Sequence, residues 1–142
     1  TMTAADGDLY LAAVSYRGNV GVQGVSGLGL AWSEVATQCS GRNATGVSVW
    51  RALGTPSGDG AVTATLDSQA ASAVLTVTRY SGVDAASLGN VVTANSHGPG
   101  GGCSGGTDSD SYSFDLQVTQ DGAVVYGAAA LRSRQHSPGS GY

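Results

Sequence analysis

Apolar and polar positions alternate with a period of two along most of the chain. The alternation is clearest over residues 73–80, where Ala73, Leu75 and Val77 share one side and Val74, Thr76, Thr78 and Tyr80 the other. A run of this kind, rich in β-branched and aromatic residues, predicts a strand at the centre of a packed sheet. Ser81-Gly82 ends it in a turn. Residues 9–16 (LYLAAVSY) are apolar on both faces, as an interior strand requires. Residues 20–25 predict a weaker strand that stops at the turn Ser26-Gly27. Over residues 28–37 neither face dominates, which predicts a strand carrying a bulge. Residues 47–53 set Val47, Val49 and Arg51 against Ser48, Trp50 and Ala52.

The turn-rich stretch GTPSGDG (54–60) leads into residues 61–66, with Val62, Ala64 and Leu66 inward and Thr63 and Thr65 outward. Beyond Asp84, strands are expected at 90–94, at 111–119 with Tyr112, Phe114, Leu116 and Val118 on one face, and at 123–131. Gln120-Asp121-Gly122 is a hairpin-type turn between the last two. The polar, glycine-rich segment 95–110 is too long for a hairpin turn, and loops of that length are mobile or functional. About nine short strands with turns at regular intervals and no helix predict an all-β fold. The expected architecture is an antiparallel β-sandwich, Ig-like or jelly-roll, in a single domain over residues 1–142 with its core in 8–131 and a polar tail at 132–142.

Composition narrows the class of partner. Hydrophobic residues make up 41% of the chain, which excludes disorder, but charged residues are only 11% against a usual value of about 25%. The six basic residues are all arginine, and ten acids leave a net charge of −4. Without a basic face, nucleic acid is disfavoured. No apolar run approaches the roughly 18–20 residues that span a bilayer, so membrane insertion is not expected. The chain opens on Thr1-Met2-Thr3, with neither an initiating methionine nor a basic n-region. It is read as a processed, trimmed or excised product, whose missing signal says nothing about secretion.

Cys39 and Cys103 both lie in polar loops, in TQCSGR and GGGCSGG. Free cysteine prefers burial, so a Cys39–Cys103 disulfide is the expected pairing, and an oxidising, extracellular or cell-surface setting follows from it. The alternative is two unpaired thiols. The spacing excludes a CxxC-type metal or redox site.

Several segments in order, DLYLAAVSYRG, VQGVSGLGLAWSEVAT, VSVWRAL, GAVTATLDSQAASAVLTVTRYSGVD and QDGAVVYGAAA, resemble a β-sandwich domain common in large bacterial secreted proteins. The resemblance covers roughly residues 8–131 and rests on the order and spacing of several weak motifs. It implies an Ig-like or jelly-roll module of the kind found in adhesins, surface and filament proteins and phage fibres, and it carries over no catalytic residue. Such domains have a further strand before the GDLLL-like segment and another after the GAAAL-like one. A sandwich without those edge strands exposes backbone groups that another chain can pair with by strand addition. Completion by a neighbouring chain and excision from a longer polypeptide both fit.

Candidate chemistry is sparse. Gly102-Cys103-Ser104-Gly105-Gly106 has the G-x-S-x-G form, but a nucleophile elbow needs a following helix, and none is expected. Gly100, Gly102 and Gly105 match a dinucleotide fingerprint by chance, with no βαβ unit around them. His97 and His136 read as solvated loop histidines. Asp108 and Asp110, with Asp115 beyond, are weak candidate ligands for Ca²⁺, though the loop lacks the EF-hand glycine and final glutamate. No cofactor is expected. Among nine aromatic residues, Trp32, Tyr112, Phe114 and Tyr126 are expected in the core. Trp50 is the candidate for an exposed sugar-stacking platform, with burial as its alternative. Asn43-Ala44-Thr45 matches the N-glycosylation pattern in a loop.

Two readings follow. The first is a non-catalytic extracellular structural or adhesive module, a filament or surface-assembly subunit joined by strand complementation to other copies of itself or to neighbouring surface domains. The second is a carbohydrate-binding module that takes a polysaccharide on an aromatic platform. An enzyme would need His97 or His136 beside Ser104 or an acid.

Overall fold

The computed structural model describes residues 1–84, 88–107, 109, 113–132, 135 and 137. Its strands are β1 (Leu9–Arg17), β2 (Val22–Gly27), β3 (Trp32–Cys39), β4 (Thr45–Ala52), β5 (Val62–Leu66), β6 (Ser72–Tyr80), β7 (Ala94–Asn95) and β8 (Gly98–Pro99). The fold is built outward from β1, whose residues are apolar on both faces. It pairs antiparallel with β4 on one side and β6 on the other. β3 extends the sheet beyond β4 to give the order β3-β4-β1-β6, while β2 and β5 form a second, two-stranded antiparallel sheet.

The period-two pattern decides which side chains meet between the two sheets. Tyr10, Ala12, Val14 and Tyr16 of β1 project to the inner face, with Tyr10 fully buried and Val14 only 1% exposed. Val25 and Trp50 are buried with Ala12, Val14 and Tyr16, and Val22, Val62, Ala64, Leu66, Leu75 and Val77 pack around them. A second cluster of Tyr10, Leu28 and Ala52 seals the end nearer the N-terminus with Met2, Ala4 and Leu30. Trp32 packs against both clusters. The all-β sandwich expected from the sequence is therefore the observed architecture, and the expected bulge in β3 lies between Glu34 and Ala36.

Between β2 and β3 the chain leaves one sheet for the other at Leu28-Gly29, where both residues have positive φ (60° and 68°). Leu30 N–H closes the turn on the Gly27 carbonyl at 3.2 Å. The left-handed conformation costs a leucine about 1–2 kcal/mol, and full burial of its side chain returns roughly 1.5–3 kcal/mol. Burial against Tyr10 and Ala52 wins, which explains a leucine where glycine or asparagine is usual.

Five sequence expectations are corrected. Among the described residues the strands number eight rather than about nine, and β7 and β8 have two residues each. Of the expected strand at 90–94, only Ala94 enters one. The described residues of 111–119 and 123–131 lie in no strand. The first alternates and the second is apolar throughout, as an interior strand would be, but a strand also needs a ladder partner, and strand preference is largely a matter of such context. Phe114, expected in the core, is 43% exposed, Tyr126 is half-buried, and Tyr112 lies outside the described residues. Finally, among the described residues the run at 73–80 is an edge strand, not a central one. Where β1 is apolar on both faces, β6 carries Ser72, Thr76, Thr78 and Arg79, a composition suited to a half-solvated position.

Candidate functional site

Two regions stand apart from the core: a disulfide-clamped loop at one end and an open seam along one side. The loop is organised by the end of β3 and the β7–β8 hairpin. Cys39 and Cys103 form a disulfide with their Cα atoms 5.4 Å apart. The Asn95 side-chain amide donates to the carbonyls of Cys39 (2.9 Å), Gly101 (2.9 Å) and Gly102 (3.0 Å). Its oxygen accepts the His97 backbone N–H at 2.9 Å. Gln38 Nε2 also donates to the Gly101 carbonyl at 3.0 Å. Across the loop, Gly106 N–H donates to the Gly41 carbonyl at 2.8 Å. A Cβ on Gly106 would lie 2.7 Å from both that oxygen and His97 Nε2, so glycine is required for this approach. The segment read as too long for a turn is thus tied down by a disulfide and side-chain amides.

Sequence-nominated chemistry does not converge there. His97 Nε2 lies 3.1 Å from the Ser104 backbone carbonyl rather than the hydroxyl. Nε2 therefore carries the proton and donates, and it cannot serve as base toward that serine in this arrangement. His136, Asp108 and Asp110 lie outside the described residues. Among the described residues no group of three or more His, Cys, Asp or Glu side chains could hold a metal ion. Asn43 sits in the β3–β4 hairpin with φ of 51°, and its amide nitrogen, the atom a glycan would occupy, donates to Asn19 Oδ1 at 2.7 Å. Trp50 is in the core at 9% exposure. Its indole N–H donates to Ser48 Oγ at 2.7 Å. The candidate sugar platform at Trp50 is corrected accordingly: a ring enclosed between two sheets offers no face to a polysaccharide.

The seam runs between β5 and β6. A cleft of about 260 Å³ opens there, lined by Val14 at its base and by Val62, Ala64, Leu66 and Leu75 on its walls. Among the described residues the second sheet has two strands against four, and no strand of it extends beyond β5 on this side. Among the described residues, β6 has no ladder partner on its outer edge, and Val74 is 62% exposed. Sequence reasoning missed this edge by reading residues 73–80 as central; the polar residues Ser72, Thr76 and Arg79 were the available signal.

The segment following the hairpin turn at Gln120 lies near this edge. The Ser15 hydroxyl donates to the Ala129 carbonyl at 3.4 Å, and residues 129–132 share a surface hollow with Ser72, Ala73 and Val74. Burial pushes the Tyr126 phenol above its ordinary range, the neighbouring Tyr80 adds to the rise, and a hydrogen bond with Thr78 opposes it. Directly after β5, the Asp67 carboxyl is held below the usual range by the Gly21 backbone and by the Ser68 hydroxyl.

The disulfide fits an oxidising, non-cytoplasmic compartment, and no helix among the described residues is long and apolar enough to cross a membrane. Comparison with protein-family models, with curated proteins and with solved structures found no match to this chain.

Proposed function

We propose that this chain is a non-catalytic extracellular module of structural or adhesive type, which joins other chains by backbone pairing along its open edge. The observation that carries the reading is β6, nine residues long and without a partner on its outer edge among the described residues. An unblunted edge of that length is a template for another strand. Charge does little to guard it, since Arg79 is its single charged residue and is drawn aside to Asp8 at 3.2 Å and to the Thr3 carbonyl at 2.9 Å.

Magnitudes say what such pairing needs. Each new backbone hydrogen bond contributes roughly 0.5–1.5 kcal/mol net, while association costs about 4–15 kcal/mol in lost freedom. A ladder alone is marginal, and burial of apolar side chains at the same edge must supply the rest. The neighbouring cleft and exposed Val74 offer that surface. The test is sizing and negative-stain microscopy of the folded, oxidised protein over a range of concentrations. Multi-chain species or regular filaments are expected; a monodisperse monomer at every concentration overturns the reading.

A further inference from the structure

We infer that the cleft between β5 and β6 is an acceptor groove for residues 114–118 of a second copy of this chain. The inference rests on the assembling module proposed above and names the two surfaces that meet.

The acceptor is regularly spaced and lined by apolar side chains apart from Thr63. Val62, Ala64 and Leu66 project from β5 into the cleft at every second position, Leu75 faces them from β6, and Val14, 1% exposed, lies at the base. An occupant must therefore present apolar side chains two residues apart, about 6.6–6.8 Å along a strand, and keep its polar groups on the opposite side. Residues 114–118 read Phe-Asp-Leu-Gln-Val, with Phe114, Leu116 and Val118 on one side and Asp115 and Gln117 on the other. No proline interrupts them, so every residue can donate to a ladder.

In its own molecule this segment does not line the cleft, whose walls come from β1, β5, β6 and the residues beside them. It is held elsewhere: the Asn90 side chain donates to the Gln117 carbonyl at 2.9 Å, and past the turn Ser15 holds the Ala129 carbonyl. While anchored there it leaves Phe114 43% and Val118 53% exposed. Its two outer apolar side chains are thus open to another molecule, with Leu116 between them half-buried, whereas filling the cleft of its own copy requires breaking the anchors. Donor and acceptor are different patches of one surface, so the contact is heterologous and propagates into a ring or an open filament rather than closing as a two-fold dimer.

Single-cysteine variants test the pairing. Ala73→Cys and Val118→Cys both fall at exposed positions, one beside the groove and one on the donor. Mixed and oxidised, they are expected to give a disulfide-linked two-chain species at least fivefold more abundant than either variant gives alone. Thr63→Cys on the exposed rim of the cleft provides a second acceptor position, and should any of the variants misfold, a thermal melt identifies it. Phe114→Ser in the donor, at a position 43% exposed, is expected to abolish the linked species while leaving the melting temperature little changed. Assembly seen by sizing without the mixed cross-link overturns the groove and leaves the assembling module standing. Ring closure within one chain of the Ala73→Cys/Val118→Cys double variant, without the mixed product, overturns it in favour of the chain filling its own groove. A monomer with no cross-link removes both.

Discussion

Ser48 shows how little polar material the core tolerates and how completely that material is used. Its hydroxyl, 1% exposed as a residue, accepts the Trp50 indole N–H at 2.7 Å and donates to Glu34 Oε1 at 3.3 Å. Ser48→Ala leaves the indole donor buried without an acceptor, a loss of about 1–3 kcal/mol, to be read as a lower denaturation midpoint in urea at unchanged slope. Two titrating groups make opposite predictions. Tyr126 is neutral in both states below the ordinary phenol range. Above it the unfolded phenol ionises first, so stability falls as pH rises through that range. An absorbance titration should show one late-ionising tyrosine that disappears in Tyr126→Phe. Asp67, with its carboxyl held low, contributes stability that is present above the usual carboxylate range and lost as pH falls through and below it. Asp67→Asn should flatten the acid limb of the stability curve and leave the neutral limb alone.

At the scale of elements, the strands that sequence revealed are those whose pattern agreed with their environment. β1 is apolar on both faces and is central; β5 alternates and is covered on one side; the ambiguous run at 28–37 holds a bulge. Residues 114–118 alternate as well as any of these, and 123–131 are as apolar as β1, yet neither forms a ladder, because pairing depends on a neighbour that local pattern does not name. The same gap hid the edge position of β6, since alternation reports which face is covered and not which flank is paired. The clamped loop was half legible. The disulfide followed from two cysteines in polar loops, whereas the Asn95 amide, which holds three carbonyls, gives no signal in sequence. Reduction of Cys39–Cys103, a separation of 64 residues, should cost about 4 kcal/mol in the chain-entropy picture, seen as a drop in melting temperature with reductant. Asn95→Ala with the disulfide intact should instead raise proteolytic nicking at 98–106 with a much smaller shift in melting.

At the scale of the molecule, the imbalance of four strands against two among the described residues leaves one side unclosed. If that side mediates assembly, Val74→Lys, which places a charge on the open edge in the way natural sheets protect theirs, should shift the protein toward monomer at least tenfold in concentration. Because Val74 is 62% exposed, the melting temperature should move little. The disulfide has a mechanical consequence as well. A pull transmitted along the backbone is carried across the Cys39–Cys103 bond, so β4, β5, β6 and the β7–β8 hairpin lie outside the load path. The 64-residue separation locks away roughly 210 Å of contour length at about 3.3 Å per residue. Under tension the oxidised module can release only β1 to β3 and the chain beyond Cys103, and β1 must be drawn out from between two strands that the bond holds back. Oxidation therefore makes the domain a short, stiff link, and reduction makes it a long, extensible one.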